Sequence, residues 1–328
     1  MRKPHVLISR KIALPGLEEV FQRCQAEVWE EGRPISREEL LERVRGKEGL
    51  LVMLTDQIDA ALMDAAGKDL KVISTYSVGV DHIDLAAATR RGIAVGHTPG
   101  VMTETVADFT FALLLAAARQ IVEADTFIRS GQWHRKGTKN LMGVDVHGAT
   151  LGIVGFGRIG QAVARRAGAF GMKVIFYDHH AEGKSIPEGV SAEVVEMERL
   201  LAEADFVSLH VPLTEATRHL FNKEVFEKMK DGAMLINTAR GGVVDQTALC
   251  EALESGKLAG AGLDVYEAEP LPAKSPLMGL KNVVLAPHIG SASRQTRERM
   301  LALAAENLLA GLEGKQLPQC ANPEVYRQ

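Results

Sequence analysis

Three polar residues in the second half of the chain each follow an apolar run. Their types are suited to transferring a proton and binding an anion. Arg240 follows the run 233–237, Glu269 comes after 260–264, and His288 follows 283–286. A guanidinium binds a carboxylate through two parallel hydrogen bonds, and an imidazole exchanges protons near neutral pH. A carboxylate beside that imidazole would orient it and stabilise its protonated form. These residue types predict proton transfer to a substrate that carries a carboxylate.

A second segment with chemical meaning is the glycine-rich stretch 151–165, LGIVGFGRIGQAVAR. In a strand–turn–helix context, Gly155 permits the tight turn, Gly157 lets the backbone approach a pyrophosphate, and Gly160 removes a side chain where helix and strand pack. The helix that begins at Arg158 and Ile159 would direct its N-terminal N–H groups at the phosphates. The segment therefore predicts a dinucleotide site.

The next apolar run, 173–178, ends in Asp178, which lies 18 residues after Gly160. A carboxylate at this position accepts hydrogen bonds from the adenosine ribose and repels a 2′-phosphate. NAD(H) is therefore favoured as the cofactor. NADP(H) stays open, because His179, His180 and Arg158 lie close by in the sequence.

These residues need a scaffold of parallel strands, and the apolar pattern predicts one. Strands are expected at 5–9, 49–54, 70–76 and 92–96, and then at 150–155, 173–178, 206–211, 233–237, 260–264 and 283–286. Six strands in the second half match a doubly wound dinucleotide-binding sheet. Long helices at 103–120 and 293–312 mark the joints. We predict a substrate domain at 1–99 and 289–328, with an NAD-binding domain at 100–288 inserted into it.

Several segments together resemble one family, the D-isomer-specific 2-hydroxyacid dehydrogenases. The glycine turn is followed, in family order, by NTARGG at 237–242, by DVYEAEP at 264–270 and by PHIGS at 287–291. Segments 70–84, 92–99 and 268–272 are most similar to glyoxylate/hydroxypyruvate reductases. The resemblance covers nearly the whole chain. It implies an α/β fold in which a Rossmann domain is inserted into a flavodoxin-like substrate domain, both doubly wound.

The resemblance also implies roles for individual residues. Arg240 would clamp the substrate carboxylate, His288 would act as general acid or base, and Glu269 would pair with it. Other substrate contacts would come from Val78, Gly79, Ser291 and Trp133, although Ser291 could instead cap the following helix. Cofactor contacts beyond the glycine turn and Asp178 would come from Thr105, His210, Val211, Pro212, Thr217, Thr238, Asp264, His288 and Gly290.

Trp133 lies in a polar stretch and admits two interpretations. In the reductases that this chain resembles, a tryptophan at this place enters the active site of the neighbouring subunit. Alternatively, Trp133 only anchors a dimer interface. Both interpretations predict a dimerisation arm near 120–147 and a homodimer.

The resemblance predicts an NAD(P)H-dependent reductase of small 2-keto acids, turning glyoxylate into glycolate and hydroxypyruvate into D-glycerate. A D-3-phosphoglycerate dehydrogenase and a 2-ketogluconate reductase are the alternatives within the enzyme class. A dimeric interaction platform that senses NAD(H) without turnover is the alternative outside it.

Composition excludes several other classes of partner and site. The 328 residues carry 38 basic and 42 acidic side chains, a formal charge of −4, so no nucleic-acid partner is expected. Cys24, Cys250 and Cys320 are too few and too scattered for a disulfide framework or a metal site. The apolar stretch 109–118 is too short to span a bilayer, and the N-terminus is unlike a signal peptide. A cytoplasmic protein without a membrane partner is the expectation.

Overall fold

The computed structural model describes residues 2–131, 133, 141–180 and 186–327. Its strands are β1 His5–Ile8, β2 Gln25–Val28, β3 Gly49–Val52, β4 Val72–Thr75, β5 Ala94–Gly96, β6 Thr150–Val154, β7 Lys173–Tyr177, β8 Glu193–Val194, β9 Phe206–Leu209, β10 Ala233–Asn237, β11 Leu258–Leu263 and β12 Val283–Leu285. Its α-helices are α1 Glu18–Arg23, α2 Arg37–Arg43, α3 Ala60–Ala66, α4 Leu85–Arg90, α5 Thr103–Ala118, α6 Ile121–Arg129, α7 Arg158–Ala169, α8 Met197–Glu203, α9 Lys223–Lys228, α10 Gln246–Glu254 and α11 Arg294–Leu312.

The chain folds into two compact units. Unit 1 comprises Met1–Met102 and Ala292–Gln328, and unit 2 comprises Thr103–Ser291. The divisions fall three residues beyond the boundaries drawn from the sequence, at the start of α5 and just before α11. Each unit is built around its own parallel sheet, as expected for alternating strands and helices.

Unit 1 contains a five-stranded parallel sheet in the order β2-β1-β3-β4-β5. This is the flavodoxin-like order of a doubly wound sheet. Strands β3 and β4 are completely buried, and α11 packs against both. Strand β2 was not predicted, because its residues Gln-Ala-Glu-Val form a half-exposed edge strand without a clear apolar run.

Unit 2 contains a seven-stranded parallel sheet in the order β12-β11-β10-β9-β6-β7-β8. Read from β8 across to β11, the sheet reproduces the dinucleotide-binding order 3-2-1-4-5-6, and β12 extends the far edge. The prediction of six strands was wrong by one. The extra strand is β8, two exposed residues at the sheet edge that carry no periodic signal.

The predicted helix over 103–120 ends at Ala118, and α6 begins at Ile121 after a left-handed Gln120 (φ +49°). Eight residues of α5 are buried in the core of unit 2. Among the helices of the described ranges, no single one has the length and apolar composition to cross a membrane. Only α5 and α6 counted together, bent by 61° at their junction, pass that test.

Candidate active site

The predicted site residues of unit 2 follow one row of paired strand residues. Register pairing joins Val154 to Tyr177 and Leu209, Leu209 to Asn237, Asn237 to Leu263, and Leu263 to Leu285. The next residues along each strand are 155, 178, 210, 238, 264 and 286. Parallel strands end at the same edge, so these residues line one side of the sheet. Ligands of doubly wound folds bind at this carboxyl edge.

The imidazole of His288 and the carboxylate of Glu269 form a hydrogen-bonded pair. His288 Nδ1 lies 2.7 Å from Glu269 Oε2, and both side chains are about one-third exposed. A carboxylate oxygen can only accept, so Nδ1 carries the proton and donates. The other ring nitrogen, Nε2, is then the atom that can hold or release a proton for chemistry.

Glu269 is held in its ionised form. Burial alone would raise the pKa of this carboxyl group, but the hydrogen bond from His288 and the positive charges of His288 and Arg240 outweigh burial. The Tyr266 N–H, which donates to Glu269 Oε1 at 3.1 Å, acts in the same direction. The pKa of Glu269 therefore lies below the ordinary value, and near neutral pH the group is a carboxylate.

Asp264 fixes the backbone turn that carries the imidazole. Its carbonyl oxygen accepts from the His288 N–H at 2.9 Å, and its two carboxylate oxygens accept from the Ile289 and Gly290 N–H groups at 2.8 and 2.7 Å. His288 is thereby kept in the left-handed region (φ +55°), which is rare outside glycine. Burial nevertheless raises the pKa of Asp264. Its predicted contact with the cofactor stays a prediction.

Tyr266 is a residue of this site that was not predicted from the sequence. Its hydroxyl donates to the Ala286 carbonyl at 2.9 Å and lies 3.3 Å from the Leu263 carbonyl, joining the ends of β11 and β12. Burial raises the pKa of Tyr266 to about 12, so the hydroxyl stays protonated and donates. The signal was a tyrosine two residues after Asp264 at a strand end, where a buried hydroxyl must find a partner.

Arg240 is carried by a turn that begins at Asn237, a second residue that was missed. Asn237 Oδ1 accepts from the Ala239 N–H, and its Nδ2 donates to the Arg240 carbonyl, both at 3.0 Å. An asparagine at a strand end that bonds the backbone two residues on is a recognisable turn signal. Gly241 packs so tightly that a Cβ there would lie 1.8 Å from the Tyr266 carbonyl carbon. This approach brings the arginine segment against the segment that carries Glu269.

The glycine turn has the shape that a pyrophosphate needs. Gly155 has φ +92°, and a Cβ there would lie 2.7 Å from the His210 carbonyl oxygen; a Cβ on Gly160 would lie 2.2 Å from the Gly155 oxygen. At Gly157, the residue before α7, a Cβ would meet nothing within 4 Å. Open space at the N-terminus of a twelve-residue helix fits a bound phosphate. The residues present therefore fit a dinucleotide.

Asp178 lies beside that turn at the end of β7. Its Oδ2 accepts from the Phe156 N–H at 2.7 Å, and its Oδ1 accepts from the His180 N–H at 2.9 Å. The carboxylate is thus oriented by the backbone of the glycine turn itself. Its predicted hydrogen bonds to a ribose stay a prediction.

The remaining predicted cofactor residues lie in the loop after β9, directly after β10, and in the first turn of α5. Desolvation lowers the pKa of His210 to about 3, so this imidazole is neutral, and its Nε2 lies 2.8 Å from Ser208 Oγ. Thr217 folds the loop back by donating to the Pro212 carbonyl at 2.6 Å, and Val211 contacts the glycine turn. Thr238 and Thr110 share a hydroxyl hydrogen bond of 2.9 Å, and Thr105 lies in the first turn of α5.

Four further residues were predicted to contact the substrate. Val78 and Gly79 are half-buried in the turn after β4 of unit 1. Ser291 is buried, but the cap of α11 is Ser293, whose hydroxyl accepts from the Thr296 N–H at 3.3 Å. The capping interpretation of Ser291 was therefore wrong. Trp133 is 64% exposed. Residues 132 and 134–140 of the predicted dimerisation arm lie outside the described residues.

Within the ranges that the structure describes, no group of three or more His, Cys, Asp or Glu side chains is arranged to hold a metal ion.

Comparison with known proteins agrees with the geometry. Residues 111–290 match the family described as D-isomer specific 2-hydroxyacid dehydrogenase, NAD binding domain. A glyoxylate reductase from Korarchaeum cryptofilum is 50% identical over 326 residues, covering 99% of this chain and 98% of that protein. The crystal structure of the TT0316 protein from Thermus thermophilus shares 51% identity at a TM-score of 0.90, covering 97% of this chain and 99% of the other.

An NADPH-dependent glyoxylate/hydroxypyruvate reductase from Sinorhizobium meliloti, solved with NADP and malonate, shares 32% identity at a TM-score of 0.85 and covers 98% of both chains. The family match, the near-complete coverage and the two doubly wound sheets lead to one conclusion. The chain belongs to the D-isomer specific 2-hydroxyacid dehydrogenase family and is an oxidoreductase with an NAD-binding domain.

Proposed function

We propose that this protein reduces small 2-keto acids, glyoxylate to glycolate and hydroxypyruvate to D-glycerate. The observation that carries the proposal is the His288–Glu269 pair at 2.7 Å, on the same sheet edge as the Gly155 turn. Relatives named glyoxylate reductase, about half identical to this chain, support this substrate class. Unit 2 is the proposed cofactor domain, and unit 1 the proposed substrate domain.

Reduction of a keto group needs a hydride at carbon and a proton at oxygen. A bound nicotinamide supplies the hydride. His288 supplies the proton from Nε2, while its Nδ1 stays bonded to Glu269. Glu269 remains ionised throughout and balances the positive charge on the ring before transfer. The neutral imidazole that remains afterwards is reprotonated from water.

Arg240 is the proposed clamp for the substrate carboxylate. Its Nη1 donates to the Ala239 carbonyl at 2.8 Å, which orients the planar guanidinium. A fixed guanidinium binds a carboxylate bidentately, and a charge near the keto oxygen stabilises the negative charge that develops there. We further propose that the N–H groups of Val78 and Gly79 bind the same carboxylate and that Ser291 donates to the substrate.

NADH is the proposed cofactor in preference to NADPH. The support is Asp178, whose carboxylate is fixed by the Phe156 and His180 N–H groups and would repel a 2′-phosphate. The relative from Sinorhizobium meliloti that binds NADP shows that the family also accepts the phosphorylated cofactor. The neighbouring His179 and His180 are both exposed.

A homodimer is proposed from an apolar surface on unit 2. Helix α6 has no buried residue, and large apolar side chains stand exposed along it and on the segments beside it. They are Ile121, Val122, Ile128, Trp133, Met142 and Val144, which we call the apolar arm. A second copy of the chain is the proposed occupant, and Trp133 its proposed anchor. Sedimentation equilibrium should give a dimer that Ile128→Asp weakens; a monomeric native chain would contradict the proposal.

The test of the main proposal is the loss of absorbance of the reduced cofactor, with NADH and NADPH in parallel. The substrates are glyoxylate, hydroxypyruvate, pyruvate, 2-ketogluconate and phosphohydroxypyruvate. Rapid turnover of the first two with NADH is the expected result. Turnover confined to phosphohydroxypyruvate or 2-ketogluconate would replace the proposed substrates. Tight NADH binding without turnover of any substrate would refute the enzymatic proposal.

A further inference from the structure

The turn after β4 in unit 1 has three consecutive backbone carbonyls, and each accepts a hydrogen bond from inside the unit. The Ser77 carbonyl accepts from the Thr98 N–H at 2.9 Å. The Val78 carbonyl accepts from Nδ1 of His97 at 2.9 Å, and the Gly79 carbonyl accepts from Ser77 Oγ at 2.7 Å. Each peptide plane in this turn is therefore held by a donor on its carbonyl side.

Peptide geometry then determines where the N–H groups point. In a trans peptide the carbonyl of one residue and the N–H of the next point in opposite directions. Because the carbonyls of Ser77 and Val78 are bonded to residues 97 and 98, the N–H groups of Val78 and Gly79 point away from that segment. Within the described chain neither N–H has a hydrogen-bond acceptor. Two adjacent N–H groups on one side of a turn form a concave site for an anion.

His97 is itself held firmly from the opposite side. Its carbonyl accepts from Asn307 Nδ2 at 2.9 Å, and its N–H donates to the Gln319 carbonyl at 3.2 Å. Asn307 is completely buried in α11 and accepts from the Gln319 N–H at 3.0 Å. The backbone of His97 is therefore held by hydrogen bonds on both its carbonyl and its N–H, and the imidazole can move by rotation of the side chain.

The ring of His97 must donate, since a carbonyl oxygen can only accept. Both the neutral form with a proton on Nδ1 and the imidazolium can do so, so the bond to Val78 does not depend on the charge of the ring. Ser77 is supported separately: its Oγ lies 2.8 Å from Thr75 Oγ1, which lies 3.0 Å from His82 Nε2. Two independent side-chain supports thus converge on one turn.

We propose that His97 is a positioning residue for substrate binding. By holding the Val78 carbonyl, its Nδ1–H turns the Gly79 N–H outward, so that this group meets the carboxylate of a 2-keto acid. The inference rests on the proposed function, which assigns the Val78 and Gly79 N–H groups to that carboxylate. It adds that their orientation is set by a side chain from the segment after β5, which bonds the Val78 carbonyl.

The test compares His97→Leu and His97→Asn in the full-length enzyme with glyoxylate and NADH. Leucine removes the donor, so the KM for glyoxylate should rise about five- to tenfold, while kcat changes less than twofold. Asparagine places an amide nitrogen the same number of bonds from Cα as Nδ1, so it should restore most of the loss. The Kd for NADH should stay unchanged in both variants.

His147→Leu is the matched control. His147 makes the same type of contact, with its Nδ1 3.1 Å from the Phe170 carbonyl, but it belongs to unit 2 and is not bonded to the turn at 78–79. It should leave KM unchanged. An unchanged KM in His97→Leu, or an equal rise in His147→Leu, would overturn the inference. A variant whose loss falls on kcat would do the same, as would failure of asparagine to restore KM.

Calorimetric titration with oxamate, a carboxylate that mimics a 2-keto acid, separates this inference from the proposed function. If the native enzyme turns over no keto acid but oxamate binding weakens in His97→Leu and recovers in His97→Asn, the proposed function fails and the inference stands. If turnover is normal and oxamate binds equally to all three proteins, the inference fails alone.

Discussion

Replacement of Glu269 by glutamine tests the proton-transfer chemistry most directly. In the native protein, Glu269 Oε2 accepts from His288 Nδ1 at 2.7 Å and Oε1 accepts from the Tyr266 N–H at 3.1 Å. Glutamine keeps the size but offers only one acceptor oxygen. One of the two donors must then face an amide NH2 group, which is itself a donor.

The magnitude follows from that mismatch. A hydrogen bond to a charged acceptor contributes about 1.5–3 kcal/mol, more than a bond between neutral groups. The Glu269 side chain is about one-third exposed, so water relieves part of the loss. We expect a loss of about 1.5–2 kcal/mol in transition-state stabilisation. At about 1.4 kcal/mol per decade, kcat/KM for glyoxylate should fall roughly 10- to 30-fold.

The assay is steady-state reduction of glyoxylate by NADH across pH, with NADH affinity measured separately. The loss should fall mainly on kcat, and NADH should bind as before. A thermal melt confirms that the variant is folded.

Glu267→Gln is the matched control, because Glu267 Oε1 lies 2.7 Å from another histidine, His219 Nε2, and is equally exposed. It should keep kcat/KM within about threefold, a change of roughly 0.7 kcal/mol. The reasoning would be refuted if Glu269→Gln stayed within the same range. A loss in Glu267→Gln equal to that in Glu269→Gln would also refute it, since any nearby carboxylate would then suffice.

Four further substitutions test separate parts of the site. Arg240→Ala should lose most of kcat/KM, because clamp and charge go together; retention within about threefold in the same assay would count against the clamp. His288→Ala should abolish turnover yet keep NADH binding by fluorescence titration, and loss of binding would make the histidine structural. Asp178→Ala should raise the ratio of NADPH to NADH efficiency, and an unchanged ratio would assign cofactor choice to another residue. Gly155→Ala should weaken NADH binding at least tenfold by calorimetry, because its Cβ would lie 2.7 Å from the His210 oxygen at φ +92°; native affinity there would contradict the turn geometry.

Local sequence patterns were sufficient to predict those features that depend only on residue type and on spacing along the chain. The strands β6, β7, β9 and β10 were predicted because each is a short apolar run that ends in a polar residue or glycine. The glycine turn was predicted because each of its glycines lies where a side chain would clash or would block a phosphate. At Gly155 and Gly160 the structure shows this clash, since a Cβ would lie within 3 Å of a backbone oxygen. Edge strands were missed because half-exposed residues carry no apolar period, as in β2 and β8.

The supports of the site could not be predicted from such patterns. Tyr266 donates to the Ala286 carbonyl across 20 residues, and Asp264 accepts from the Ile289 N–H across 25 residues. His97 reaches the Val78 carbonyl from the segment after β5. Such bonds depend on which strands become neighbours and on their register, and a single sequence contains no signal for that pairing.

The sequence by itself therefore determined the chemistry that the chain can offer: a guanidinium, a carboxylate, an imidazole and a glycine turn, each after an apolar strand. It also determined the class of fold, because alternating apolar strands and helices can bury their surfaces only as parallel sheets between helices. Tertiary structure decided that the carboxylate of Glu269 meets the imidazole of His288 and that the imidazole of His97 meets the carbonyl of Val78. Hydrogen bonds act over about 3 Å, and only the packed register of distant strands brings their partners within that range.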